Sequence, residues 1–291
     1  MNSVSWRHHY IPQFYLKGFT AENGKFKIYD VVKKEFKNNG QEFSPKSHFF
    51  EPNANTLISS LSKDDSTETK YGKIDNRIAE IFQRINNSSV QENFNINEND
   101  IAQLQHFVSV MYWRIPTNYN EIKNLIQKKE LKELGLILKK TNKAKIDIVE
   151  MEQKIKEDEN FFKLMKYWLP NISYPELSKC KTPLHLMPFI EGFPSICSDN
   201  PLISRHPESF QVYKDDFIIP INNTKVFMRG DRLKKINGVV KMMIDLLIYK
   251  QAEKYVCCTD ESYINHLDNL YKKHFKNINE LRNLIFKQTF E

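Results

Sequence analysis

Three short runs carry side chains that could do chemistry together. They are Arg7-His8-His9-Tyr10-Ile11-Pro12, Trp113-Arg114-Ile115-Pro116 and Ser198-Asp199-Asn200-Pro201. Imidazole, guanidinium and carboxylate are the groups a protein uses to cleave a phosphodiester. A histidine beside Asp199 can act as general base, with the carboxylate orienting it through the other ring N–H. Alternatively, His9 and Asp199 can share a divalent metal, Mg²⁺ or Mn²⁺, that activates water. Arg114 then supplies a planar clamp for phosphate. Arg7 and Asn200 flank these groups as substrate contacts. His8 and His9 are neighbours, so an extended backbone points them to opposite faces. One of them at most faces a given pocket, and both stand as catalytic candidates.

The same residues also have a purely structural reading. Asp199-Asn200-Pro201 makes a turn unaided, because an Asx side chain bonds the backbone and proline fixes the exit. Arg114 can cap the carbonyls at the end of its own helix. The histidines can close a buried hydrogen-bond network that pins the N-terminus to a sheet. Both readings stay open at the level of sequence.

Other chemistries are excluded or weak. Gly18 to Phe26 has one residue too many between its glycines for a phosphate-binding loop, and Phe26 where a hydroxyl should hold Mg²⁺. Ser195 follows Gly192-Phe193-Pro194 and lacks the glycines of a nucleophile elbow. Asp30 with Glu35-Phe36-Lys37 has the residue types of a metal-dependent nuclease core, but so short a spacing normally marks a solvated turn. His48, His106, His185, His206, His266 and His274 have no ligand spacing. Trp113 and Trp168, at helix ends, are expected to be packing anchors.

The elements that must position the three runs can be read from periodicity. Pro12 to Gly18 predicts a short helix, with proline at its start and glycine past its end. Phe26 to Asp30 alternates and is expected to pair with Glu35-Phe36-Lys37 as a hairpin. Residues 51–66 are polar and read as loop. From Tyr71 the period becomes helical, with Ile74, Ile78, Ile81, Phe82 and Ile85 on one face. A second helix is capped by Asn97 or Asn99, and Pro116 stops it near Arg114. Residues 119–140 and 144–168 read as two more helices. Short strands are expected at residues 194–198, 202–204, 217–221, 225–229 and 255–258, with an apolar helix over 238–252. Two helices, 260–274 and 277–288, follow. Strands at both ends with helices between predict an α+β fold in which the terminal segments meet in a sheet. The division is an N-terminal mixed segment (residues 1–70), a helical region (71–184) and a C-terminal α+β segment (185–291), forming one composite domain.

Composition sets the limits. The chain has 291 residues, 40% hydrophobic and 27% charged, enough to bury a sizeable core. Its 8 glycines are well below the usual share of about 7%. No run approaches a membrane span, and residues 1–9 have no apolar stretch of a secretory signal. Cys180, Cys197, Cys257 and Cys258 fit neither a disulfide framework nor a metal knuckle, so reduced thiols in the cytoplasm are expected. The net charge of +7 is compatible with a nucleic-acid partner. It also fits solvated helix faces of mixed sign, as in Lys128 to Glu133.

Taken together, His8 to Phe19, Lys27-Ile28-Tyr29-Asp30, Arg114-Ile115-Pro116, Cys197 to Pro201 and Lys254-Tyr255-Val256 resemble, in order, the motifs of the bacterial family called domain of unknown function 4238. Cys197 stands where that family usually has threonine, and Met111 where a glutamine often precedes the arginine by three. The resemblance covers most of the chain. It implies which residues gather at a site, and the family name implies no activity.

The expected function is a nucleic-acid-directed phosphodiester hydrolase, metal-assisted, of the kind found in phage-defence or toxin effectors. In it His8 or His9 is base or ligand, Asp199 orients or ligates, and Arg114 holds phosphate. The alternative is a non-catalytic sensing or binding module with a protein partner, in which the polar cluster is structural.

Overall fold

The computed structural model describes residues 6–60, 62–88, 96–137, 147–173, 182–231, 234 and 236–291. The first part of the chain runs β1 (Arg7–His9), α1 (Gln13–Leu16), β2 (Phe26–Asp30), β3 (Glu35–Phe36), β4 (Glu42–Phe43), β5 (Phe50–Pro52), β6 (Leu57–Ile58) and β7 (Lys63–Asp64). The middle is helical: α2 (Ser66–Asn87), α3 (Glu98–Arg114), α4 (Tyr119–Lys128), α5 (Ile148–Glu157) and α6 (Glu159–Ser173). The last part runs β8 (Leu184–Pro188), β9 (Ile196–Ser198), β10 (Ile203–Ser204), β11 (Phe217–Pro220) and β12 (Lys225–Arg229). It closes with α7 (Gly238–Lys250), β13 (Tyr255–Cys258), α8 (Glu261–His274) and α9 (Ile278–Phe290).

The fold is mixed α+β, and its ends meet in one sheet. That sheet has the order β3-β2-β13-β9, with β4 also on β2. Lys27 lies opposite Cys258 and Asp30 opposite Tyr255, so N-terminal and C-terminal strands are direct neighbours. A second sheet has the order β10-β11-β12-β8, and β1 pairs with β5 as a separate ribbon. The predicted hairpin forms, with Tyr29 opposite Phe36. Asp30 closes its turn by accepting the Val32 and Lys33 N–H groups, so it acts as a turn residue.

Local chemistry sets the helix ends. Asn97 and Asp100 form a reciprocal capping box at the start of α3. Asn237 caps α7, accepting from the Val240 N–H at 3.0 Å. α2 begins at Ser66, earlier than periodicity predicted. Asp64 accepts from the Ser66 N–H, and Asp65 accepts from the Thr56 hydroxyl, so a polar run becomes a helix start. Residues 51–66 are therefore not simply loop: they hold the end of β5, then β6 and β7. α4 ends at Lys128 and gives way to a single turn that closes at Gly135, whose φ of 75° suits glycine. Residues 138–146 and Cys180, parts of the sequence reading, lie outside the described residues. α5 and α6 are separated at Asp158, which caps α6 through the Asn160 N–H. α6 passes through Pro170, which stands in its last turn.

One apolar cluster draws on all three parts of the chain: Tyr10, Ile11 and Tyr15, then Phe82, Phe107 and Met111, then Phe217, Phe227 and Cys257. A second cluster packs α7, α8 and α9 against β9, β12 and β13. Trp113 is buried, as expected of an anchor, but Trp168 is 47% exposed and is not one. Cys197, Cys257 and Cys258 are free, buried thiols. Among the described residues no helix is long and apolar enough to cross a membrane.

The second cluster encloses a charged pair. The Lys241 ammonium lies 2.6 Å and 2.5 Å from the two Asp245 oxygens, and the Tyr263 hydroxyl donates to the same carboxylate. Both side chains are almost wholly buried. Losing one partner strands the other charge in the core, whereas replacing both leaves an apolar contact. Asp245→Ala is therefore expected to cost about 3–5 kcal/mol in urea unfolding, and the double variant Lys241→Met/Asp245→Leu far less.

Candidate functional site

β1 is extended, and its two histidines go to different partners. His8 Nδ1 accepts the Asn55 N–H at 2.9 Å, which places the ring proton on Nε2. The Asn55 side chain in turn donates to Glu68 Oε2 at 2.8 Å. His9 Nδ1 lies 3.4 Å from the Gln13 amide nitrogen, and its ring packs on Phe50. Both rings are buried, His8 to 1% exposure and His9 to 8%. Burial, then the Arg114 charge, pushes the His9 imidazole down to about 4, so the ring is neutral at pH 7. Arg7 stays exposed, its guanidinium against the rings of Trp6 and Phe50.

Arg114 sits in the last turn of α3, where Pro116 ends the helix. One guanidinium nitrogen donates to Asp75 Oδ1 at 2.8 Å, and another to the His9 carbonyl at 2.5 Å. The group stacks over the Tyr71 ring at 4.6 Å. Burial opposes its charge, but Asp75, with Tyr71 and Glu68, more than offsets this, so its proton is held more tightly than usual. The cap is thus not on its own helix: Arg114 ties β1 to α2.

Asp199 does comparable work at the other end of the chain. Its Oδ1 accepts the Glu253 N–H at 3.1 Å, and its Oδ2 accepts those of Lys254 and Tyr255 at 2.7 Å and 3.0 Å. Burial pushes this carboxyl up, and the three N–H groups pull it back only in part. The carboxylate fixes the entry to β13. Asn200 is held through its backbone: its N–H donates to Ser198 Oγ, and its carbonyl accepts from Gln251.

The structure joins Arg114 to His9 through a backbone oxygen. Among the described residues, no hydrogen bond or ion pair joins a nitrogen of His8 or His9 to Asp199. Nor do three His, Cys, Asp or Glu side chains gather there as a metal site would need. The residues proposed for Mg²⁺ or Mn²⁺, His9 and Asp199, each have other partners.

What the three runs do share is a small pocket of about 140 Å³. Tyr10 comes from the first run, Pro116 and Thr117 from the end of the second, and Asp199 from the third. Glu51, Phe50 and Tyr255 complete its walls, with Glu253 and Lys254. The Tyr10 phenol is held protonated far above its usual range, first by burial and then by the charges of Asp199 and Glu51. Glu51 is set by a half-buried chain: the Tyr119 hydroxyl donates to Glu51 Oε2 at 2.8 Å, and Lys166 Nζ donates to the Tyr119 oxygen at 3.3 Å. Burial brings the Lys166 ammonium down to about 8.

Glu51, Tyr119, Lys166, Tyr71 and Asp75 were missed from sequence. Lys166 did leave a signal: it shares a helical face with Phe162, Met165 and Leu169, all buried. A lysine in an apolar stripe needs a partner. Glu51 left none, because a lone acid beside a proline reads as surface.

The chain belongs to the family described as protein of unknown function DUF4238, whose model matches residues 7–282. No curated protein and no solved structure matches it.

Two buried histidines set an acid limit. Burial, with Lys37 and Lys254 nearby, pushes His48 down to about 4, as with His9. Below pH 6.5 the unfolded chain takes up protons that the folded chain refuses until about pH 4. The unfolded state binds more protons in this window, so stability is complete above it and falls as pH drops through it. Each tenfold change in proton affinity is about 1.4 kcal/mol. The Tm is expected to fall steadily between pH 6.5 and 4. The slope should flatten in His48→Gln, checked by thermal melts across that range.

Proposed function

We propose that this chain is a recognition module, whose pocket holds one small donor-bearing group, such as an amine or guanidinium, presented by a partner. The observation that carries this reading is how the expected catalytic groups are spent. Arg114 is engaged by Asp75 and the His9 carbonyl, and Asp199 by three backbone N–H groups. Groups so engaged hold a structure in place, and most of their bonding capacity is already used. Glu51 differs: it lines the pocket beside the rings of Tyr10, Phe50 and Tyr255. A carboxylate among aromatic faces favours a cationic or N–H donor group. The volume of about 140 Å³ suits a side-chain-sized group, well below the roughly 300–1,000 Å³ of drug-sized sites.

A second reading, the metal-assisted hydrolase, is favoured by one observation. The net charge of +7 with a sequence pI of 9.0 attracts polyanions. One experiment separates the two. Wild type and Glu51→Gln are incubated with mixed RNA and DNA in Mg²⁺, Mn²⁺ or EDTA, and titrated by NMR with methylguanidine and butylamine. The recognition reading predicts no cleavage. It predicts saturable shifts at Tyr10 and Tyr255, weakened at least about tenfold in Glu51→Gln, the size of one charge-assisted hydrogen bond. Metal-dependent cleavage without amine binding would overturn it in favour of the hydrolase.

A further inference from the structure

A larger cavity lies elsewhere, among the three C-terminal helices. It measures about 630 Å³ and is walled by Met242, Met243, Leu246, Leu270, Phe275 and Leu284. Val239, 59% exposed, also lines it. That volume falls within the roughly 300–1,000 Å³ of sites for single small molecules. Two methionines in the wall give it side chains that adapt to an irregular apolar occupant.

Its polar groups are few, three donors and one acid. His274 stands at the end of α8, and Asn283 and Lys287 on α9. All three can donate hydrogen bonds. Among the described residues no side-chain hydrogen bond or ion pair is made by Lys287. The one acid in the lining, Glu280, is already engaged: its Oε2 accepts the Lys276 N–H at 2.9 Å, at the start of α9. The slot is therefore apolar, with an ammonium at Lys287 that is unpaired among the described residues and the one carboxylate, already bonded to backbone, about two helical turns away at the start of α9.

We infer that this slot binds a free long-chain fatty acid, with the alkyl chain between α7, α8 and α9 and the carboxylate at Lys287. Each methylene taken from water favours binding by about 0.8 kcal/mol. The carboxylate, which would be costly to bury alone, stays at the edge beside the ammonium. A neutral or cationic amphiphile of the same length gains the first contribution but not the second. The site shares no lining residue with the Glu51 pocket, so either can fail without the other.

The test is calorimetric titration of the full chain with dodecanoate, dodecanol and dodecyltrimethylammonium below their aggregation concentrations. Met242→Trp, which fills the slot, Lys287→Glu, which reverses the edge charge, and Glu51→Gln, a distant control, are titrated alongside. Circular dichroism confirms that each is folded. Dodecanoate should bind with one-to-one stoichiometry and more tightly than the other two amphiphiles. Lys287→Glu should weaken it by about tenfold, the size of one charge-assisted contact. Met242→Trp should abolish binding, and Glu51→Gln should leave it unchanged. Three results would overturn the assignment: no binding of dodecanoate; equal binding of the cationic amphiphile; or a self-association that Met242→Trp breaks, which would make the face an interface between copies.

Discussion

The buried Arg114 guanidinium is the contact on which the N-terminal architecture depends. Only 4% of this residue is exposed, and a charge in that position is tolerable only if its donors are used. Two are: Asp75 on α2 receives one, and the His9 carbonyl on β1 receives another. The Tyr71 ring covers the flat face of the group. A three-residue strand has little hold on a fold by itself. Its docking rests on pairing with β5 and on this one side chain from the end of a long helix.

The consequences run outward from β1. Its seating brings His8 to the Asn55 N–H and sets β5 beside it, and β5 carries Glu51. Glu51 meets Tyr119, which Lys166 supports from α6. Asp199 repeats the device at the C-terminal side, where one carboxylate gathers three consecutive backbone N–H groups and fixes the start of β13. Two buried charges, each used to hold backbone, help bring five separate segments around one small pocket. The resulting site differs from the one its residue types suggest. The conspicuous groups hold the walls in place, and a less conspicuous glutamate, Glu51, lines the pocket.

Much of this was legible in the sequence, for physical reasons that differ by element. Isoleucines at helical spacing placed α2, and a capping asparagine and a proline bounded α3, because those signals are local. The meeting of terminal strands followed from their position around the helices. The polar stretch before Tyr71 was misread because its order comes from side chains bonding across it, Thr56 to Asp65 and Asn55 to Glu68. One residue from each motif run, Tyr10, Pro116 and Asp199, lines the same pocket, while Arg114 and Asp199 hold backbone there. Whether Asp199 meets an imidazole or a backbone is decided by residues 253–255, more than fifty positions away, and no local pattern encodes it.

The most direct test of the central contact is amide hydrogen exchange in Arg114→Lys, read residue by residue. Lysine keeps the charge but cannot reach Asp75 and the His9 carbonyl together. If the guanidinium pins β1, the amides of Tyr10 and Asn55, which bond Phe49 and His8, lose protection first, while those of α7 and β13 keep theirs. Unchanged protection at Tyr10 and Asn55, or an equal loss across the whole chain, would contradict the account.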